Sequence, residues 1–161
     1  MSPADKETLA ALTAGIQSEI AAYVFYREAV LKTDHEEVKG ILEKLALEEK
    51  QHFQILERQY DSLVRSEKWI TTADALRQEG LPEIDEDMSQ KHQHYVQEVA
   101  KTNSLSEILD IALRLELEAR DLFKGAANRC ESESGKKMFT QLSGIEEGHA
   151  VKIKDMKEKY C

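Results

Sequence analysis

Apolar residues recur at helical spacing over four long stretches of the chain, and acidic or imidazole side chains interrupt each stretch at one level. Residues three and four positions apart share one face of an α-helix, so each stretch predicts a long amphipathic helix. Four such helices predict an all-α four-helix bundle with a polar layer inside its core. The predicted core faces are Leu9, Leu12, Ile16, Glu19, Tyr23, Tyr26 and Val30; Val38, Leu42, Leu45, Glu49, His52, Leu56, Gln59 and Leu63; Leu105, Leu109, Ala112, Glu116, Ala119, Phe123, Ala126 and Cys130; and Met138, Leu142, Glu146, His149, Ile153, Met156 and Tyr160.

The first two helices form a predicted hairpin. Ser2 followed by Pro3 is typical of a helix start, and the apolar pattern then continues to about Lys32. Asp34, with Glu37 three residues later, matches a capping box, so Asp34 is the predicted N-cap of the second helix. Because only a short turn separates them, the two helices are expected to run antiparallel.

A long connection leads to the second hairpin. Residues 66–103 lose the long periodicity and predict a crossover with short helices at about 73–79 and 86–100. Ser104 with Glu107 is another capping box and predicts the start of the third helix. About 40 residues can travel the full length of a bundle, so the third helix is expected to run parallel to the second.

The polar positions belong to two copies of one pattern, offset by 97 residues. In each copy a Glu is followed 30 residues later by Glu-x-x-His, whose Glu and His point the same way from a helix. The same offset places Ala22 on Ala119 and Leu45 on Leu142, which indicates a duplicated helical hairpin. The two copies are Glu19, Glu49 and His52, and Glu116, Glu146 and His149.

The two copies are expected to meet at one level of the bundle. From Glu19 to the first turn is about 14 residues and from that turn to Glu49 about 15, so both distances are about 21–22 Å along the helix axes. The same count holds for Glu116 and Glu146 around a second turn, predicted at residues 131–135. Four carboxylates and two imidazoles should therefore lie together in the core.

Such a cluster predicts a site for two metal ions. An uncompensated carboxylate inside an apolar core costs several kcal/mol. Two divalent cations neutralise four carboxylates and leave the imidazoles uncharged. Mixed carboxylate and imidazole ligation favours iron or manganese over calcium or magnesium, and zinc also satisfies it.

Length and composition limit the other functions. The 161 residues are typical of one domain, expected to span residues 1–161. A net charge of −9 argues against a general binder of nucleic acid or anionic membranes. Uncharged runs are too short to span a bilayer, which predicts a cytoplasmic protein without membrane attachment. Cys130 and Cys161 form no Cys-x-x-Cys motif, which excludes a rubredoxin-type iron centre or a zinc ribbon within the chain.

Four motifs surround the predicted metal ligands: Glu19-x-x-Ala22-x-x-Phe25-Tyr26, Glu49-x-x-His52, Glu116-x-x-Ala119-x-x-Leu122-Phe123 and Glu146-x-x-His149. Through them the chain resembles the rubrerythrin branch of the ferritin-like di-iron carboxylate proteins. The resemblance implies a ferritin-like bundle with two iron ions held by the two copies of the pattern. It also implies that Glu49 and Glu146 bridge the ions and that Tyr26 donates a hydrogen bond to a ligand carboxylate.

The resemblance further implies an oxidoreductase that reduces hydrogen peroxide, or less efficiently dioxygen, to water. Rubrerythrins proper carry an additional Glu at the position of Ala119 and a rubredoxin domain, and this chain has neither. Its electrons would therefore come from a separate donor such as a rubredoxin, and the expected assembly is a homodimer. Two other functions remain open: iron oxidation and storage in a ferritin-like cage, and non-catalytic binding of a metal such as zinc.

Three further acidic residues lie beside the pattern. Glu48 is four residues before His52, but at the offset of 97 it superimposes on Ile145 and so falls outside the repeat. We therefore expect Glu48, Glu118 and Glu147 to face solvent.

Overall fold

The computed structural model describes residues 5–161, and within them it contains only helices and their connections. Four helices are long and three are short. The long ones are α1 (Lys6–Lys32), α2 (Glu36–Ser66), α6 (Leu105–Arg129) and α7 (Glu133–Tyr160). The short ones, α3 (Thr72–Arg77), α4 (Glu86–Gln90) and α5 (Gln93–Ala100), all lie in the connection between α2 and α6. The predicted all-α architecture is confirmed.

The long helices form two hairpins, α1 with α2 and α6 with α7, which pack together mainly through α1 and α6. The starts of α2 and α6 lie at the same end of the bundle, because Thr33 and His35 line one cavity together with Thr102 and Ser104. Helices α2 and α6 are therefore parallel, as expected from a long crossover. Within that crossover, α3 packs on α2, and α4 and α5 pack on α1.

The buried side chains form two apolar clusters, one towards each end of the bundle. One includes Leu12, Phe53, Leu56, Phe123 and Phe139. The other includes Phe25, Leu42, Leu45, Leu109 and Ile153. The glutamate and histidine residues of the predicted core faces fall between these clusters, so water is excluded from them on both sides.

The helix starts agree with the sequence in part. Ser104 accepts a hydrogen bond from the Glu107 amide at 3.2 Å and is the N-cap of α6, as predicted. The predicted start at Ser2 and Pro3 falls outside the described residues. Within them, α1 begins at Lys6 behind Asp5, whose side chain accepts from the Thr8 amide at 2.8 Å.

The turns differ from the prediction by one or two residues. The N-cap of α2 is His35, whose Nδ1 accepts from the Val38 amide at 3.4 Å, so the prediction of Asp34 was wrong. The reason is that Thr33 is still part of the end of α1, because its amide and hydroxyl donate hydrogen bonds to the Ala29 carbonyl. The turn into α2 therefore extends one residue further than predicted. The second turn is also shorter than residues 131–135, because α7 already begins at Glu133.

The crossover is anchored beside Trp69. The side-chain amide of Gln59 donates to the Ile70 carbonyl at 2.6 Å and its oxygen accepts from the Ile70 amide at 3.0 Å. Trp69 packs edge-on against Phe139 of α7, with ring centroids 6.1 Å apart. The predicted helix at 86–100 is split into α4 and α5, with the break at Lys91 and His92.

Among the described helices, α1 alone is long and apolar enough to cross a membrane by length and composition. Half of its most apolar segment is buried inside the bundle, and any such segment contains the buried carboxylate of Glu19. A core helix of a bundle meets the same criterion, so packing accounts for the apolar character of α1.

Candidate metal centre

Six polar side chains meet between the two apolar clusters, and each of the four long helices contributes at least one. Every one of them is at most 5% exposed, although acidic residues are almost never buried unless they are paired or bind a metal. The structure thus brings together every residue of the duplicated pattern. They are Glu19 from α1, Glu49 and His52 from α2, Glu116 from α6, and Glu146 and His149 from α7.

The six side chains form two overlapping groups of four, in each of which all the ligand atoms lie within 4.8 Å of one another. One group is Glu19, Glu49, His52 and Glu146; the other is Glu49, Glu116, Glu146 and His149. Glu49 and Glu146 belong to both. This arrangement offers two neighbouring cation positions, each with its own Glu and His, and two carboxylates placed between them.

Each imidazole of one hairpin lies against a carboxylate of the other hairpin. Nδ1 of His52 is 2.8 Å from Oε1 of Glu146, and Nδ1 of His149 is 2.8 Å from Oε1 of Glu49. The two rings are nearly parallel, at 11°, with centroids 6.0 Å apart. The duplicated sequence therefore produces a centre with approximate twofold symmetry in space.

Many of these polar atoms are buried and have no hydrogen-bond partner. They include both carboxylate oxygens of Glu19 and Glu49, one oxygen each of Glu116 and Glu146, and Nδ1 of His149, whose short approach to Glu49 lacks hydrogen-bond geometry. Buried polar groups nearly always have a hydrogen-bond partner or bind an ion. So many buried oxygens without a partner in one place therefore indicate a site for a ligand. Cations placed between the oxygens and the imidazole nitrogens supply that partner, and the residues therefore fit two metal ions.

Burial, followed by repulsion between neighbouring carboxylates, raises the pKa of Glu19 and Glu49 well above the usual range, and burial does the same for Glu116. Glu146 differs: burial raises its pKa, but the close approach of Glu116 and His149, together with the hydrogen bond from His52, outweighs that effect and lowers it. For His149, burial lowers the pKa, and the close carboxylates of Glu116, Glu146 and Glu49 more than reverse this. Without metal the cluster thus holds protons, which a cation must displace.

Tyr26 is fully buried beside the cluster. Its hydroxyl donates to Oε1 of Glu116 at 2.5 Å, a short distance typical of a bond to a carboxylate. Burial and the nearby carboxylates raise the pKa of Tyr26 well above its usual range, so the phenol keeps the proton that it donates. The contact crosses from α1 to α6 and fixes the orientation of one carboxyl group.

Glu48 does not simply face solvent, so this expectation was wrong. Its Oε2 lies 2.7 Å from Nε2 of His149, the ring nitrogen that points away from the cluster. The repeat gave no sign of the contact, because Ile145 occupies the matching position. Glu118 is exposed as expected, and Glu147 is partly exposed and pairs with Arg120 at 2.7 Å.

A cavity of about 560 Å³ lies against His52, between α2, α3 and α7. Its walls are largely apolar, with Ile55, Leu76 and Ile145 among them, and it is open to solvent. His52 is thus the member of the cluster that borders this opening. Ala119, by contrast, is buried in the apolar cluster beside Phe123 and places no additional carboxylate at the centre.

The sequence model of the Rubrerythrin family matches residues 10–157, which include all six residues of the centre together with Tyr26 and Glu48. No curated protein matches the chain, and no solved structure does.

Proposed function

The chain belongs to the rubrerythrin family, and on this basis we propose that it is a di-iron oxidoreductase that reduces hydrogen peroxide, or less efficiently dioxygen, to water. The observation that carries the proposal is the sharing of Glu49 and Glu146 between two groups of ligands. Two adjacent metal ions with shared carboxylates can deliver two electrons together, which the reduction of a peroxide requires.

In this proposal Glu19 and His52 belong to one iron ion and Glu116 and His149 to the other, with Glu49 and Glu146 between them. Iron is favoured by the mixed oxygen and nitrogen donors and by the family, with manganese and zinc as the alternatives. When bound, iron would supply the electrons for the reaction: hydrogen peroxide would take up two electrons and two protons to give two water molecules, and dioxygen would need four electrons and four protons, supplied over two rounds of reduction by the donor.

The protein excludes water from the centre, orients a carboxylate and gives a small oxidant a route to the cluster. The apolar clusters on both sides keep bulk water from the carboxylates, which strengthens their interaction with a cation. Tyr26 holds Glu116 in one orientation. The cavity beside His52 is wide enough for a small oxidant and is lined by a member of the cluster.

The electrons are proposed to come from a separate protein, since Cys130 and Cys161 are too few to form a rubredoxin-type centre in this chain. A rubredoxin is the natural candidate for this partner, and a homodimer is the proposed assembly. Because Ala119 replaces the additional Glu of rubrerythrins proper, the proposed reaction must proceed with these four carboxylates alone.

Stopped-flow mixing tests the proposal. The iron-loaded protein, reduced without oxygen, is mixed with hydrogen peroxide and, separately, with dioxygen, and the absorbance of ferric iron is followed. We expect rapid oxidation, faster with peroxide, in the native protein and in the control Glu118→Gln, whose charge change is at the exposed surface. No oxidation by either reagent would overturn the proposal.

The two other functions predict different results. Storage requires a large hollow assembly, so gel filtration showing a shell of many chains that takes up hundreds of iron ions would support it over the reductase. Retention of zinc after expression with ample iron, with no oxidation of the reduced protein, would support non-catalytic binding.

A further inference from the structure

We propose that Glu48 is a positioning residue for His149 that makes the two metal positions unequal, so that the position containing His149 binds its metal ion more tightly. The inference rests on the proposed metal centre, but it concerns binding and not the reduction of an oxidant. The observation behind it is that His149 and His52, which are related by the internal repeat, have different surroundings on the side that faces away from the cluster.

His149 is held from both sides. Its Nδ1 faces the cluster, 2.8 Å from Glu49 and 3.4 Å from Glu116. Its Nε2 donates to Oε2 of Glu48 at 2.7 Å. Because Glu48 lies on α2 and His149 on α7, this bond ties together two helices that pack on each other less closely than the partners within either hairpin.

His52 is held from one side only. Its Nδ1 faces the cluster, 2.8 Å from Glu146, whereas its ring borders the open cavity. No described residue makes a hydrogen bond to its Nε2. The residue matching Glu48 is Ile145, which is 43% exposed and lines the same cavity. An isoleucine cannot accept a hydrogen bond, so the centre is symmetric in its inner ligands and asymmetric just outside them.

A carboxylate on the outer nitrogen of a histidine ligand affects metal binding in two ways. It fixes the tautomer and the ring orientation, which leaves the inner nitrogen free to bind the ion, and it makes that nitrogen a stronger electron donor. Removing such a carboxylate typically lowers metal affinity by about 10–100-fold. Glu48 is itself largely shielded, with its side chain 29% exposed, so the interaction is only partly screened by water.

Cobalt titration of the metal-free protein, followed by calorimetry and by the visible absorbance of bound cobalt, tests the inference. The native protein is expected to bind two ions in two steps of different affinity. Glu48→Ala should weaken the tighter step by about 10–100-fold and leave the other unchanged, and Glu48→Gln, which keeps an acceptor without charge, should weaken it less. Glu118→Ala is the matched control for the loss of one exposed charge and should alter neither step.

Three further variants test whether Glu48 acts through His149. In a His149→Ala background, Glu48→Ala should have no additional effect, whereas in a His52→Ala background its full effect should remain. Ile145→Glu places a carboxylate beside His52 and should strengthen the weaker step. Two steps of equal affinity in the native protein, no cobalt binding, or an equal weakening of both steps by Glu48→Ala would overturn the inference. Of these, only the absence of cobalt binding would also count against the proposed reductase.

Discussion

The phenol of Tyr26 and the carboxylate of Glu116, 90 residues apart in the chain, are joined by a hydrogen bond of 2.5 Å across the two hairpins. A bond to a charged group contributes about 1.5–3 kcal/mol, and one to a neutral group about 0.5–1.5 kcal/mol. Glu116 is ionised when it binds metal and holds a proton more readily without it, because burial raises its pKa. Tyr26→Phe should therefore destabilise the metal-loaded protein more than the metal-free protein.

Urea unfolding of both forms measures this difference. Tyr23→Phe is the control, because Tyr23 lies on the same helix but its hydroxyl accepts from Arg27 away from the centre. We expect little change in that variant. If Tyr26→Phe lowered the free energy of unfolding equally in the metal-loaded and metal-free forms, Glu116 would not be a metal ligand.

The pH dependence of stability should differ between the metal-free and metal-loaded proteins. Glu19, Glu49 and Glu116 have raised pKa values in the folded protein. Their contribution to the stability of the fold is therefore fully present below the pKa of about 4.5 that they have in the unfolded chain, and it is lost as the pH rises through their pKa values in the folded protein. The raised pKa of His149 acts in the same direction at higher pH. The lowered pKa of Glu146 changes the stability of the fold only below about pH 4.5.

The melting temperature of the metal-free protein should thus fall from about pH 5 to pH 8, because of these groups. The stabilisation produced by metal should increase over the same range, since binding releases the protons. Glu19→Gln mimics the protonated acid and should make the metal-free protein more stable than the native chain at pH 8, by about 1–3 kcal/mol. Calorimetric melting checks this, and a metal-free protein that becomes more stable towards pH 8 would contradict it.

Access through the cavity beside His52 can be narrowed at Gly144. A side chain at Gly144 would meet no atom within 4 Å at its Cβ, and the residue lines the cavity. Gly144→Leu should slow oxidation of the reduced iron-loaded protein while its iron content stays the same. Gly40→Leu is the matched control, because Gly40 is equally open but lies on α2 outside that cavity.

Both substitutions should stabilise their helices by about 0.5–1 kcal/mol, because glycine is unfavourable inside a helix. Stopped-flow rates and urea unfolding of the two variants separate access from stability. An unchanged rate in Gly144→Leu would show that the oxidant enters elsewhere.

Gly135 allows the crossover to pack on α7. A Cβ at this position would overlap Sγ of the buried Cys130 and the ring of Trp69, which is packed against Phe139. Gly135→Ala should cost about 1–3 kcal/mol, as overpacking of a core does. Gly40→Ala, at an open helical position, should instead stabilise the protein, so the two variants should shift the midpoint of urea unfolding in opposite directions.

The sequence predicted the bundle and the meeting of the six polar side chains because both depend on regular spacing. Glu19 and Glu49 lie at equal distances from one turn, and Glu116 and Glu146 repeat that spacing, so helical geometry alone brings them to one level. The apolar periodicity on either side decided which face of each helix is buried.

What the sequence did not reveal depends on contacts between residues that have no regular spacing. Glu48 meets His149 across 101 positions, and the internal repeat pointed to an isoleucine instead. The start of α2 shifted from Asp34 to His35 because Thr33 makes a bond inside the preceding helix. The cavity beside His52 depends on where α3 of the crossover comes to rest, which no local pattern specifies.

Metal content measures the central claim most directly. The metal-free protein is loaded with ferrous iron without oxygen, freed of unbound iron by gel filtration, and analysed for iron per chain, beside the double variant Glu49→Ala, Glu146→Ala and the surface variant Glu118→Ala. We predict two iron ions per chain in the native protein and in Glu118→Ala, and fewer than one in the double variant. Less than one ion in the native protein, or two in the double variant, would contradict the account.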